Sequence, residues 1–367
     1  MRTALCDTLG IEHPIVGFTP SEHVAAAISR AGGLGVLGCV RFNDAAELDR
    51  VLDWMDTHTD GRPYGVDVVM PAKVPTEVAG MDPDSLIPAG HREFVDRTLT
   101  RLGVPPLPED EAARAGVLGW LHSVARSHVE VALNHPVKLI ANALGSPPVD
   151  VIEQAHQYGL LVAALAGKAE HARRHVHNGV DIVVAQGYEA GGHTGEIASM
   201  VLVPEIVDAV GDRAPVLAAG GIGTGRQVAA ALALGAVGAW TGSIWLTTSE
   251  YELTASDTAV QQALLGASSS DTVRSRIYTG KPARLLKTKW TDAWAEPDAP
   301  EPLPMPLQNL LVSEAHQRMM RAGDPEVVSM PVGQIVGRMN EVRPVAEVMA
   351  TLLRETEETF ARLDKLR

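Results

Sequence analysis

The feature that most limits the possible folds of this chain is a regular alternation of short apolar runs with longer segments of helical periodicity. Eight runs have the length and the β-branched content of buried strands: His13–Gly17, Leu34–Gly38, Tyr64–Met70, Val137–Asn142, Leu160–Leu165, Asp181–Ala185, Pro215–Ala219 and Val237–Thr241. Between them lie segments with apolar residues near helical spacing: Ser21–Ala31, Ala45–Met55, Leu118–Asn134, Val149–Tyr158, Lys168–Asn178, Pro204–Val210 and Gly225–Leu234. Such alternation is typical of parallel strands joined by crossover helices. Eight units predict an α/β fold of the (β/α)8 TIM barrel type, and a doubly wound sheet is the alternative.

Two stretches break this rhythm and predict a second structural unit. Residues 71–116 are rich in Pro, Asp and Arg and follow the third strand, so we expect an insertion over the barrel mouth. Residues 249–342 carry a Pro-rich tract between helical segments, which predicts a smaller, mainly helical domain that caps the substrate. The barrel then comprises residues 1–70 and 117–248, and residues 343–367 form a returning helix with an apolar face.

Charge and cysteine content narrow the function classes. The 367 residues include 31 basic and 45 acidic side chains, and the formal net charge of −14 disfavours nucleic acid and anionic membranes as partners. The longest apolar run, Val228 to Trp240, is interrupted by glycine and too short to span a bilayer. Cys6 and Cys39 are too few for a disulfide scaffold, so we expect a cytoplasmic protein. The sequence does not exclude a homo-oligomer.

The segment AQGYEAGGHTG, residues 185–195, directly follows the sixth predicted strand. Catalytic groups of TIM barrels lie at the carboxyl ends of the strands. Gly191 and Gly192 allow the backbone to approach a ligand closely, and the imidazole of His193 suits proton transfer near neutral pH. His193 is therefore the candidate catalytic residue. A loop histidine that caps a helix or binds its own backbone is the equal alternative from this context alone.

Two further glycine loops follow the seventh and eighth predicted strands, where TIM barrels commonly hold a phosphate. Gly220, Gly221 and Gly223 would expose amides in the first loop, and Gly242 and Ser243 in the second. These loops predict a phosphorylated cofactor. The alternative is a pair of tight turns without a ligand.

No metal site is expected. His171 and His175 are four residues apart on a predicted helix, but that helix is basic and carries no accompanying carboxylate or thiolate pattern. We therefore expect a solvated helix face there.

At these residues the chain resembles the nitronate monooxygenase family, formerly called 2-nitropropane dioxygenases. The resemblance is carried by HPIV (13–16), AISRAGGLGVLG (27–38), AQGYEAGGHTG (185–195) and AAGGIGTGRQVAAALALGAVGAWTGS (218–243), and weakly by TGKPAR (279–284) and PVGQIVG (331–337). It implies a metal-free barrel that binds FMN. It also implies that His193 is a base or a hydrogen-bond partner of the nitro group.

The resemblance assigns cofactor contacts as well. It places the FMN phosphate at Gly220, Gly221, Gly242 and Ser243, and it makes Lys138 and Gln186 partners of the isoalloxazine ring.

Two departures from the family pattern lie beside the expected flavin. The family usually has Ala-Pro-Met after the first strand, where the backbone meets the flavin, and this chain has Gly17, Phe18 and Thr19. Near the ring, after the third strand, the family commonly carries asparagine, and this chain has Asp67. We expect Asp67 either to be neutralised by Lys138 or to alter flavin reactivity.

The leading hypothesis is an FMN enzyme that oxidises alkyl nitronates, and potentially nitroalkanes, with O2 to carbonyl compounds and nitrite. The enzymatic alternative is an NAD(P)H-dependent flavin reductase of an enoyl thioester or quinone on the same scaffold. A flavin-binding regulatory protein without turnover is the third possibility.

Overall fold

Eight parallel strands close into a barrel in the computed structural model, which describes residues 1–70, 86–108, 122–251 and 257–366. In barrel order the strands are β1 (Ile15–Thr19), β2 (Leu34–Gly38), β3 (Tyr64–Val68), β4 (Val137–Asn142), β5 (Leu161–Ala166), β6 (Ile182–Gln186), β8 (Val216–Ala219) and β9 (Gly238–Thr241). β9 pairs in parallel with β1 and closes the ring. The predicted TIM barrel is confirmed, and each predicted strand lies within two residues of its observed bounds.

Helices follow most of the barrel strands and cover their outer faces, and further helices belong to the segments outside the barrel. Within the described residues they are α1 (Ala4–Leu9), α2 (Glu22–Arg30), α3 (Ala45–His58), α4 (Ala89–Arg101), α5 (His122–Ala132), α6 (Val149–Gln157), α7 (Ala169–His177), α8 (Ser199–Val210), α9 (Gly225–Ala233), α10 (Asp257–Leu265), α11 (Lys289–Ala293), α12 (Leu307–Ala322) and α13 (Val345–Asp364). The sequence explains several starts locally. The Asp44 carboxylate accepts from the Glu47 amide at the start of α3, and Thr224 and Gln227 form a capping box at the start of α9.

The strands alternate between an inner and an outer side, as the two-residue period of β structure requires. Their inner side chains fill the barrel with one apolar cluster: Val16, Leu34, Val36, Leu139, Ala141, Ala163, Ile182, Val184, Leu217, Ala219 and Trp240. On β3, Tyr64, Val66 and Val68 belong to the outer core against the helices. Asp67 therefore faces the barrel interior, near the carboxyl end.

A separate apolar core lies outside the barrel. It combines residues of α4 with residues from the segment that follows the last barrel strand: Ile87, Phe94, Val95, Leu99, Val104, Ile277, Leu285, Trp290, Trp294, Leu311, Val312, Ala315, Met319 and Val327. A three-stranded antiparallel sheet accompanies it, in the order β10 (Thr272–Ser275), β11 (Ala283–Leu286) and β7 (Gly192–His193). The division into two domains stays a prediction, and residues 71–85 and 109–116 of the predicted insertion lie outside the described residues.

The last helix, α13, packs on the amino end of α9. A Cβ at Gly225 would lie 2.3 Å from the Thr356 amide nitrogen, so only glycine allows this approach. The Gly225 amide donates to Glu355 Oε2 at 2.9 Å. Among the described helices, none is both long and apolar enough to cross a membrane.

Candidate active site at the barrel mouth

The two glycine loops meet because β8 and β9 are neighbours in the barrel, with Ala219 opposite Trp240. Gly220 and Gly221 have φ of 100° and 69°, a region that glycine enters without strain. A Cβ at Gly242 would have Phe18 as its nearest neighbour, at 3.8 Å. In the described part of the chain, no group accepts from the amides of Gly220, Gly221, Gly242 or Ser243. These four donors could bind an anion such as a phosphate.

One predicted phosphate contact is wrong. The Gly223 amide donates to Gln227 Oε1 at 2.9 Å, as part of the capping arrangement of α9. A Cβ at Gly223 would lie 2.5 Å from Ile335 Cγ1 and 2.8 Å from Ile244 Cγ2. Gly223 is therefore a packing glycine with an occupied amide.

The Ser243 hydroxyl oxygen accepts from the Gly333 amide at 2.9 Å. Its own hydrogen is left to donate, so Ser243 keeps both an amide and a hydroxyl for an anion.

The loop that carries His193 is held at its start by two side chains. At its start, the Glu189 carboxylate accepts from the amide and the hydroxyl of Ser199, the first residue of α8. Arg284 on β11 donates from Nη2 to the Tyr188 carbonyl at 3.1 Å, and its guanidinium lies 4.6 Å from the Tyr188 ring centre. The small sheet thus fixes the loop against the barrel.

His193 lies on β7, which pairs antiparallel with β11 opposite Ala283. Its Nε2 is 2.6 Å from the hydroxyl oxygen of Thr279, a residue 86 positions further along the chain. Burial lowers the pKa of His193 to about 4, and the positive charge of Lys281 acts in the same direction. At neutral pH the imidazole is therefore uncharged. The alternative was a histidine that caps a helix or binds its own backbone. The structure instead gives His193 the Thr279 side chain as its partner.

Asp67 and Gln186 face the same end of the barrel interior. Gln186 is the last residue of β6 and is half-buried. Asp67 is 3% exposed, and burial raises the pKa of its carboxyl to about 7 against a hydrogen bond from the Ala143 amide, which lowers it. Burial also raises the pKa of the neighbouring Cys39 thiol, and the charge on Asp67 adds to that shift. Asp67 is thus poised between its charged and neutral forms.

Lys138 is not part of this site, and its predicted role beside the isoalloxazine ring and Asp67 is wrong. It is the second residue of β4, whereas Asp67 is opposite Ala141, three positions further along, or about 10 Å at 3.3 Å per residue. Lys138 lines a cavity of about 340 Å³ at the amino end of the barrel, together with Gly10, Pro63 and other residues.

Gly17 and Phe18 lie on opposite sides of β1. A Cβ at Gly17 would lie 2.5 Å from Ile28 Cδ1 and 2.8 Å from Trp245 Nε1, so Gly17 is needed for packing outside the barrel. Phe18 faces inward, and its ring lies 3.1 Å from the position of a Cβ at Gly38. Of the two, Phe18 is the residue that lines the mouth.

Gly191 and Gly192 differ in their surroundings. A Cβ at Gly191 would lie 2.7 Å from the Gly333 amide nitrogen, so Gly191 permits close contact between two loops. Gly192 has φ of 72° and open space around it.

The structure also corrects the predicted solvated face at His171 and His175. His175 is fully buried and its Nε2 lies 3.0 Å from the Leu165 carbonyl oxygen. Elsewhere in the described residues, Asp53, Asp56 and His135 have metal-like spacing. Both His135 nitrogens, however, lie within hydrogen-bond distance of Asp49 and Asp56.

Sequence reasoning missed Thr279, Gln227, Glu189 and Arg284. Thr279 and Arg284 are the ends of TGKPAR, so the weak resemblance at that segment was the available signal. The partners of Thr279 and Arg284 are 86 and 96 residues away and could not be read from spacing, whereas Gln227 follows Thr224 by three residues, a capping-box spacing that the sequence does show.

Comparisons with known proteins cover nearly the whole chain. The nitronate monooxygenase family matches residues 2–355. Rv1533 of Mycobacterium tuberculosis, named as a monooxygenase, is 50% identical over 379 aligned positions, covering 100% of this chain and 99% of that protein. Nitroalkane oxidase from Streptomyces ansochromogenes superposes with a TM-score of 0.78 at 28% identity, covering 98% of this chain and 100% of that one. FabK from Thermotoga maritima superposes with a TM-score of 0.75 at 27% identity and covers 100% of both chains.

Proposed function

This chain belongs to the nitronate monooxygenase family and is an oxidoreductase, and from that premise we propose that it is an FMN enzyme that oxidises alkyl nitronates with O2 to carbonyl compounds and nitrite. The observation that carries the proposal is the pair of adjacent glycine loops, beside the loop of His193, whose amides have no acceptor among the residues that the structure describes. A Cβ at Gly221 would lie 3.0 Å from Glu189 Cγ, so these loops are in contact.

The residues present fit FMN. The amides of Gly220, Gly221, Gly242 and Ser243 would hold its phosphate, and the Ser243 hydroxyl would add a donor. The ring would lie in the mouth, among the side chains of Phe18, Asp67 and Gln186. When bound, FMN would accept electrons from the substrate and pass them to O2.

The protein's own contribution lies in binding and orienting the substrate. A neutral His193 could donate a hydrogen bond to a nitronate oxygen or take a proton from a nitroalkane, and Lys281 adds a positive charge nearby. The loops around the half-buried His193 would limit the access of water to the reacting atoms.

A nitrite assay with purified protein and ethyl nitronate in air tests the proposal. His193→Asn should lower kcat/KM by about 10- to 150-fold, the size of a lost hydrogen bond to a charged partner of about 1.5–3 kcal/mol. Its flavin content should be unchanged because the phosphate loops are elsewhere. His177→Asn, on the exposed part of α7, is the matched control and should change neither kcat/KM nor the flavin content.

Absence of nitrite, together with anaerobic bleaching of the flavin by NAD(P)H, would favour the reductase alternative, which the superposition on FabK keeps in view. A protein that binds no flavin on addition of FMN would exclude both. Cytoplasmic location and self-association stay predictions.

A further inference from the structure

Thr279 is placed to control the proton on His193. It is 6% exposed and belongs to the turn between β10 and β11. Its hydroxyl oxygen is 2.6 Å from His193 Nε2. The Lys281 amide donates to the same oxygen at 3.4 Å.

The hydrogen bonds of this hydroxyl can be counted. A threonine hydroxyl has one hydrogen to donate and two lone pairs. The Lys281 amide occupies one lone pair. Among the described residues, His193 Nε2 is the acceptor within reach of the Thr279 hydrogen. A buried hydroxyl donates whenever an acceptor is present, so Thr279 donates and Nε2 accepts.

The other ring nitrogen then carries the proton. A neutral imidazole has one N–H, and when Nε2 accepts, Nδ1 is the donor. Nδ1 has no partner in the described part of the chain, and it is not among the polar side-chain atoms that are sealed from solvent. The N–H group therefore points into accessible space.

We propose that Thr279 holds His193 in its Nδ1-protonated form and so makes it a hydrogen-bond donor to an anionic nitronate instead of a base for a neutral nitroalkane. The substrate half of this inference rests on the proposed function. The tautomer half depends on the geometry alone.

Three further points agree with this role of His193. A base needs a lone pair facing its substrate, and here the lone pair of the ring faces Thr279. Burial lowers the pKa of His193 to about 4, which makes it a weak acceptor for a carbon-bound proton. Lys281 is the charged group that acts on His193, and a cation attracts a nitronate more than a neutral nitroalkane.

Nitrogen-15 NMR of the FMN-loaded protein, labelled at histidine, tests the tautomer directly. The signals of His193 are identified by their loss in His193→Asn. In the wild type, Nδ1 should show the shift of a protonated nitrogen and Nε2 that of an unprotonated one. Thr279→Ser should keep this pattern, and Thr279→Val should lose it. A wild-type spectrum with Nε2 protonated would overturn the inference without any variant.

Steady-state kinetics test the consequence. Wild type and Thr279→Ser should turn over ethyl nitronate with far higher kcat/KM than nitroethane. In Thr279→Val, kcat/KM for ethyl nitronate should fall about 10-fold, which corresponds to the loss of one hydrogen bond to a charged partner. Thr98→Val, at a buried threonine of α4, is the control, and its kcat/KM for ethyl nitronate should equal that of the wild type. Equal kcat/KM for both substrates in the wild type would overturn the donor role, whereas no nitrite from either would refute the proposed function and leave the NMR result standing.

Discussion

Replacing Asp67 by asparagine should make the flavin-free protein more stable at alkaline pH and leave it unchanged at acid pH. Asp67 is 3% exposed inside the barrel, and burial raises the pKa of its carboxyl from 3.8 to about 7. The amide has nearly the same shape, carries no charge and keeps an oxygen for the Ala143 amide. The variant therefore reproduces the protonated carboxyl at every pH.

The magnitude follows from linkage. Below pH 3.8 the carboxyl is protonated in both the folded and the unfolded chain, so it makes no pH-dependent contribution. Between there and about pH 7 the folded chain keeps a proton that the unfolded chain has released, so stability falls as pH rises. Each pH unit in this interval lowers the free energy of unfolding by about 1.36 kcal/mol. The whole interval lowers it by at most about 4 kcal/mol. Above pH 7 the loss is complete.

Urea unfolding of the flavin-free wild type and Asp67→Asn, at intervals from about pH 4.5 to 8.5, measures this directly. The gap in free energy of unfolding should open with pH and level off above neutrality. Other titrating groups cancel in the difference. Asp212→Asn, at a side chain that is 82% exposed, is the control and should show no such gap. A gap of constant size, or one that closes as pH rises, would refute the reasoning.

Three further predictions concern other parts of the molecule. Gly221→Val should lose FMN, whereas Gly159→Val, with a similar positive φ of 73° and open surroundings, should keep it; full flavin occupancy in the first variant would exclude this loop as a phosphate site. Burial opposes the charged form of His135, but hydrogen bonds to two aspartates outweigh it and raise its pKa. That stabilisation is present below the unfolded pKa and disappears as pH rises through the folded value, so His135→Gln should lower Tm more at about pH 5.5 than at pH 9; an equal loss at both would contradict it. Arg284→Met should lower the free energy of unfolding in urea by about 1–3 kcal/mol because it removes the hydrogen bonds that the buried Arg284 guanidinium donates to the Tyr188 carbonyl, and an unchanged midpoint would show that the loop is held by other contacts.

Local sequence patterns were sufficient to predict the barrel and to place its glycine loops at the carboxyl ends of the strands. Strand period, helix period and their alternation are local properties, and they placed each of the eight strands to within two residues. The strand boundaries then placed the three glycine-containing loops at the carboxyl ends. They were also sufficient to place Lys138, as the second residue of its strand, at the opposite end.

Tertiary structure decided what each group can do, because hydrogen-bond partners are set by contacts between distant segments. Helix α8 begins at Ser199 and not at Pro204, since the carboxylate of Glu189 binds its amino end. The partner of His193 comes from a strand turn 86 residues away. Spacing along the chain carries no record of this last pairing, which arises only when the small sheet folds over the mouth of the barrel.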